Sequence, residues 1–381
     1  MSQAAFDPYH LRPSASLNRR QIIALPGVEA EIIGKTGYEV ASRPALIALI
    51  QAQTGVLGLE NVDPADYPQH LNALLGSSNA SLRIASKAVA AQHGKRVGYL
   101  IASILRSSAG LTSPLEPWEA EYLRYWREQV DCIVLGGGLS NGRMGQVIRG
   151  AVEGGLESCG LPEISIQVCE HPSYLPLVGA ARSLPPGEER VAVVADFGGT
   201  RLKRGIAFYG EGYALQRLEI FPSCDIAALT EAGKTAALAE EMIAILAETI
   251  KRAGALTTLN PKIMCSVAAY VEDGKPLNID RGGYYALNRL SPDISGWFSA
   301  QISQACGREV QVEFVHDCDA AAVALAGREK TAVLMLGSAL GVGFVPPENA
   351  CRPFAQGFVV DASHLVCDSP LPPLSLGERQ G

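Results

Sequence analysis

The stretch VVADFGGTRLKRGIAFYG (Val193–Gly210) restricts the possible folds more than any other. An apolar run stops at Asp196, two glycines and a threonine follow, and a second apolar run returns after basic residues. Strand-forming residues on both sides of a glycine tip predict an antiparallel hairpin. Glycines at such a tip let a ligand approach the backbone, and successive amide N–H groups then point at an anion. The device recurs over Ala332–Val345, again strand, Gly-Ser tip, strand. A third glycine cluster, CIVLGGGLS (Cys132–Ser140), lies where a strand meets a helix. Each alone reads as a tight turn. Three in one chain read as candidate phosphate cradles. Neither GxxxxGK[ST] nor GxGxxG is present, so the P-loop and the dinucleotide fingerprint are excluded.

A fourth stretch, VEFVHDCDAAAVAL (Val312–Leu325), ends a strand at His316-Asp317 and opens a helix with small residues. A carboxylate at that junction is placed to act as a base or to hold a metal. It serves equally as a helix cap, and spacing alone does not separate Asp317 from Asp319. Around these stretches strands and helices alternate, which predicts mixed α/β sheets with helical cover. Apolar spacing predicts a helix over Asn79–Ser108, whole or broken at Gly94, and another over Ile226–Gly254. The polar, proline-containing SLPPGEER (Ser183–Arg190) reads as a linker.

A chain of 381 residues suggests two or three domains. Its net charge of −7 argues against nucleic acid or an anionic membrane as partner. Nine cysteines lie singly, with no CxxC pair, as expected of free thiols in a reducing compartment. The opening MSQAAFDPYHLRPSASLNRR has no signal-peptide pattern, and no run of 18 apolar residues occurs, so a cytoplasmic protein is expected.

Together the four stretches resemble the sugar kinases of the actin and hexokinase superfamily, specifically the ROK family (repressors, open reading frames, kinases). DFGGTRLK is similar to the family's first phosphate motif, LMLGSALGVGF to its second, CIVLGGGLS to its adenosine-side motif, and VHDCDAAAVAL to the segment bearing its catalytic aspartate. The order is rotated. In the family the triple-glycine segment comes last, followed by a Leu-Gly-Ala-Ala helix. Here CIVLGGGLS and LPLVGAARS (Leu175–Ser183) precede Asp196. VVDASHLV (Val359–Val366) resembles the family's Gly-Glu-x-Gly-His segment, and the segment that follows it in the family resembles GKTGYEVASRPALIAL, with Glu39, near the start. The chain is thus similar, over Gly34–Val366, to a circularly permuted ROK protein with its new termini in the family's zinc loop.

The resemblance implies a two-lobed, actin-like (ribonuclease H-like) fold. One lobe is expected over 188–328, the other from 1–183 plus 331–381. ATP phosphates would rest on Gly198, Gly199, Thr200, Gly337 and Ser338, and adenosine on Gly136, Gly137 and Gly138. Mg²⁺ would be held near Asp196, through water. Asp317 would be the general base, and Glu39, His316, Asp361 and His364 would hold a sugar. His316 stands where the family has asparagine, Asp361 where it has glutamate, and Ser338-Ala339 where it has Thr-Gly. After His364 only Cys367 remains of a cysteine-rich segment, so no structural zinc is expected. The function implied is ATP-dependent phosphorylation of a hexose or an amino or N-acetyl sugar. The alternatives are a sugar-sensing regulator without catalysis and a kinase for a non-sugar alcohol such as pantothenate. A homodimer stays open.

Overall fold

The computed structural model describes residues 5–107, 116–185, 187, 189–230, 233–255, 259–277 and 283–362. The chain begins with 3-10 turns at Pro13–Ala15 and Leu17–Arg19. Helices α1 (Gly37–Ala41), α2 (Arg43–Gln51), α3 (Thr54–Leu57), α4 (Tyr67–Leu74), α5 (Ala80–Arg106) and α6 (Pro117–Gln129) follow. Then come β1 (Cys132–Gly136), α7 (Gly142–Ser158), β2 (Ser165–Val168) and α8 (Leu175–Ser183). After the linker run β3 (Val191–Phe197), β4 (Arg201–Tyr209), β5 (Leu215–Ile220), β6 (Cys224–Asp225), α9 (Thr235–Gly254) and β7 (Lys262–Val267). The short β8 (Val271–Glu272) and β9 (Lys275–Pro276) precede α10 (Ile294–Cys306), β10 (Gln311–His316) and α11 (Asp317–Val323). Last are β11 (Thr331–Leu336), β12 (Leu340–Phe344) and β13 (Phe354–Asp361).

Two main sheets form. One has the order β10-β7-β3-β4-β5-β13, with β6 on β4, and the other β12-β11-β1-β2. The two share one plan. In the first, β3 and β4 make an antiparallel hairpin, and β7 and β10 step outward in parallel from β3. In the second, β11 and β12 make the hairpin, and β1 and β2 step outward in parallel from β11. The first sheet follows the chain order. The second does so only when the end of the chain is read on into its beginning, as the rotated motif order requires. The central strand β3 is buried at every residue and apolar except at Asp196, as a strand covered on both faces demands.

Helices α8 and α11 lie between the sheets, in one core with Val194 and Met264 of the first and Val333 of the second. They hold equivalent places, each following the outermost parallel strand of its sheet. They cross in backbone contact: a Cβ on Gly179 would stand 1.6 Å from the Ala320 carbonyl oxygen. The buried Arg182 donates from α8 to the Val323 and Ala324 carbonyls at the end of α11, at 2.9 and 3.1 Å. Helices α9 and α10 cover the outer face of the first sheet, and α5 and α7 cover that of the second. This is the two-lobed, actin-like fold. No described helix is long and apolar enough to cross a membrane.

The structure departs from the expected lobes at one strand. β13 belongs to the segment assigned with the second lobe, yet it pairs in parallel with β5 on the first sheet. The open edge of β5 accepts it, and Arg182 stacks on Phe354 at 4.2 Å where it arrives. Helix α5 is also unbroken at Gly94. That glycine and Gly98 are where α7 packs closest: a Cβ on either would lie 2.6 Å from a carbonyl oxygen, of Ile148 or Val152. The helix expected from Ile226 begins only at Thr235.

Candidate active site

A cleft of about 1500 Å³ separates the lobes, and both glycine tips line it. The first tip is Gly198-Gly199-Thr200, closed by Gly198 N–H donating to the Arg201 carbonyl at 3.0 Å. The second is Gly337-Ser338. The tips face each other so closely that a Cβ on Gly199 would lie 3.4 Å from the Ser338 Cβ. Gly137 and Gly138 line a third side. Gly137 has φ +85°, and a Cβ there would stand 2.4 Å from the Leu336 carbonyl oxygen, so glycine is required twice over. Gly138 faces open space. Gly136 is not among the lining residues; it ends β1, with Met335 and Leu175 where its Cβ would be. Asn72, which accepts Met144 N–H at 2.9 Å, continues this wall.

Asp196 is the next-to-last residue of β3, which leads to the first tip, and is 2% exposed. Lys203 Nζ sits 2.6 Å from its Oδ2, and the Ser266 hydroxyl donates to its Oδ1 at 2.9 Å. Lys203 is the cross-strand neighbour of Asp196 in the hairpin, which is why the two meet. Both carboxylate oxygens are therefore engaged. The set fits Mg²⁺ only through water, while the glycine amides and the nearby cations fit a polyphosphate.

Asp317 opens α11 and lines the cleft at the same sheet edge as the first tip, two strands from it. Its carboxylate lies 3.4 Å from His316 Nε2, and the Cys318 thiol donates to it at 3.2 Å. Burial pushes the Asp317 carboxyl above the usual carboxylate range; the His316 charge opposes this and the Asp196 charge adds to it. Asp319 is not a lining residue. It lies behind, with Oδ1 3.2 Å from His316 Nδ1. His316 lines the cleft but is 5% exposed, its ring stacked on Tyr270 at 4.4 Å between centroids. Burial alone would lower the His316 imidazole, but the two aspartates outweigh it and raise it.

The expected sugar residues separate. Glu39 lines the cleft, where its carboxylate accepts the Thr36 N–H at 2.8 Å and hydroxyl at 2.7 Å. That capping box on α1 holds the Glu39 carboxyl below its usual value. Asp361 ends β13 on the edge of the first sheet, with Oδ2 3.6 Å from Arg217 Nη1, and is not among the described residues lining the cleft. The pairing of β13 with β5 carries it there. His364 and Cys367, on which the zinc expectation rests, lie outside the described residues. Among the described residues, His316, Asp317 and Cys318 bring ligand atoms within 4.8 Å of one another.

From the sequence, Arg201 and Lys203 read either as phosphate ligands or as solvent-facing and stay outside the expected site, and Arg43, Tyr270 and Tyr284 are passed over; all five line the cleft. Tyr284 donates its hydroxyl to the Gly198 carbonyl at 2.7 Å and braces the first tip. Pairing the hairpin outward from its tip would have placed Lys203 opposite Asp196. Nothing local in the sequence marks Arg43 or Tyr270.

No protein-family model and no curated protein matches the chain. Among solved structures it is similar to the Aquifex aeolicus Ppx/GppA phosphatase (type II variant), at 15% identity and TM-score 0.19 over 33% of this chain. The alignment spans about a third, 36%, of the phosphatase's length. It is also similar to the ethanolamine utilization protein EutJ from Carboxydothermus hydrogenoformans, at 17% identity and TM-score 0.30, covering 62% of this chain and 73% of that one. An exopolyphosphatase-like protein shows 11% identity and TM-score 0.28, covering 62% and 81%. At these scores the fold rests on the two sheets and their shared plan.

Proposed function

We propose that the protein is an ATP-dependent kinase for a sugar hydroxyl, a ROK-like kinase in rotated order, with Asp317 as general base. The observation that carries this is the Asp317 carboxylate, held with a raised pKa in the interlobe cleft that two facing glycine tips also line. Asp317 takes the proton of the acceptor hydroxyl. The hydroxyl oxygen forms a bond to the γ-phosphorus, and the bond from that phosphorus to the β–γ bridging oxygen breaks, its electron pair leaving with ADP. Mg²⁺, bound with the nucleotide, would neutralise phosphate charge. Asp196 and Lys203 hold the floor of the phosphate site, the tips supply amides, and Gly137, Gly138 and Asn72 face the nucleoside. Tyr270 and His316 form the acceptor wall beside the base. Closure of the lobes excludes water, which limits hydrolysis of ATP.

One observation favours a non-sugar alcohol as acceptor: Asp361 is not at the cleft, and Glu39 is committed to a helix cap. The experiment is an ADP-release screen with Mg-ATP over hexoses, amino sugars, N-acetyl sugars and pantothenate. A kinase gives acceptor-dependent ADP. Failure with every acceptor moves the non-catalytic regulator ahead.

A further inference from the structure

Three arginines, Arg19, Arg43 and Arg201, line the cleft, and the last two each adjoin a glycine tip. Arg43 opens α2 on one lobe. Its N–H donates to the Gly337 carbonyl at 2.8 Å, which fixes it beside the second glycine tip. Its guanidinium donates to the Ala65 carbonyl. Arg201 opens β4 on the other lobe, next to Thr200 of the first tip. Its guanidinium reaches the Ser223 hydroxyl at 3.3 Å. Among the described residues neither makes an ion pair with a carboxylate within 4 Å, whereas Lys203 beside them is paired with Asp196 at 2.6 Å. The two sense each other across the cleft: burial first, then the Arg201 charge, lowers the pKa of Arg43, against opposing charges at Asp66 and Asp225. Like charges held together by neutral partners repel until an anion comes between them.

We infer that Arg43 and Arg201 form a clamp, one guanidinium from each lobe, for the terminal phosphate of a nucleoside triphosphate. The inference rests on the glycine tips being the phosphate cradle. Guanidinium forks match phosphate oxygens, and each tip positions its own arginine. A terminal phosphate between them removes the repulsion and ties the lobes together. A diphosphate, one group shorter, leaves the pair unbridged. The clamp thus distinguishes nucleotide before reaction from nucleotide after it and releases the lobes once the phosphoryl group has left.

The test is calorimetric titration of the full chain in Mg²⁺ with a non-hydrolysable ATP analogue, ADP and adenosine. The proteins are wild type, Arg43→Gln, Arg201→Gln, the double variant and Arg201→Lys, each checked for an unchanged thermal melt. Loss of a charge-assisted contact weakens the triphosphate about tenfold or more in each single variant. ADP and adenosine are expected to change little. The double variant loses less than the product of the singles, because one arginine clamps poorly alone. Arg201→Lys falls between wild type and Arg201→Gln. Equal weakening of triphosphate and ADP overturns the clamp, as does no weakening in a wild type that binds both; the nucleotide site itself then stands. A wild type that binds no nucleotide removes the site and the clamp together. If Arg43→Gln does not fold, Arg201→Gln decides by the same comparison.

Discussion

Asp317 and Asp319 carry the same side chain two residues apart, and the fold gives them opposite surroundings. Asp317 meets the cleft, while Asp319 holds the back of His316. Asp317→Asn keeps size but not basicity, so kcat is expected to fall ~10²–10⁴-fold with nucleotide affinity preserved. Asp319→Asn acts on His316 and is expected to cost far less turnover. Because burial raises the Asp317 pKa, the acidic limb of kcat/KM is expected above the ordinary aspartate value near 3.9. Activity rises as pH climbs through that limb, and a pH–rate profile of the wild type reads it. His93, buried in α5 with neither ring nitrogen hydrogen-bonded, has its pKa pushed down to about 4 by burial and the Arg96 charge. Its unfolded value lies near 6.5. The unfolded chain therefore binds the extra proton between those values, and stability falls as pH drops through that window. The loss is about 3 kcal/mol by pH 4. Denaturation midpoints at pH 7 and 4.5 are expected to converge in His93→Leu relative to wild type.

Among the elements, α8 and α11 bear the closest approach between the lobes. The Ala320 carbonyl leaves no room for a side chain at Gly179, and a helix backbone cannot give way as a rotamer can. Gly179→Val is expected to cost roughly 3 kcal/mol or more, seen as a lowered Tm or as failure to fold. Gly154 on α7 is the contrast: no atom lies within 4 Å of its Cβ, and Gly154→Ala is expected to raise stability by about 0.5–1 kcal/mol. The difference explains what was legible in the sequence. Hairpins announce themselves because a glycine tip between apolar runs is a local pattern, and both tips lie where that pattern puts them. Asp317 was legible as a strand-end carboxylate, and the family resemblance chose it over Asp319; in the structure Asp317 lines the cleft and Asp319 does not. Gly94 left open whether α5 is whole or broken because helix propensity is local, whereas α7, the reason for that glycine, is more than forty residues away. β13 was illegible for the same reason: its partner is the open edge of β5, and no residue within it names that partner.

For the whole molecule, the two sheets share one plan only if the chain is read in rotated order. The join between α8 and β3 is held by a contact of its own. Arg352, just before β13, donates to the Leu184 carbonyl at 2.6 Å and to that of Pro185, and stacks on Tyr209 at 4.0 Å. The old order is expected to survive reconnection. A protein with Gly381 joined to Met1 and the chain opened within Pro185–Glu189 should fold with a cooperative melt, weakened where Arg352 loses its anchorage. The central claim is that this cleft passes a phosphoryl group from ATP to a hydroxyl. It is tested most directly by mass spectrometry of the products formed from Mg-ATP and the best acceptor, with wild type and Asp317→Asn side by side. The account predicts ADP and monophosphorylated acceptor in equal amounts from wild type, and a large loss of both in the variant. ADP with free phosphate and no phosphorylated acceptor, or equal product from both proteins, would contradict it.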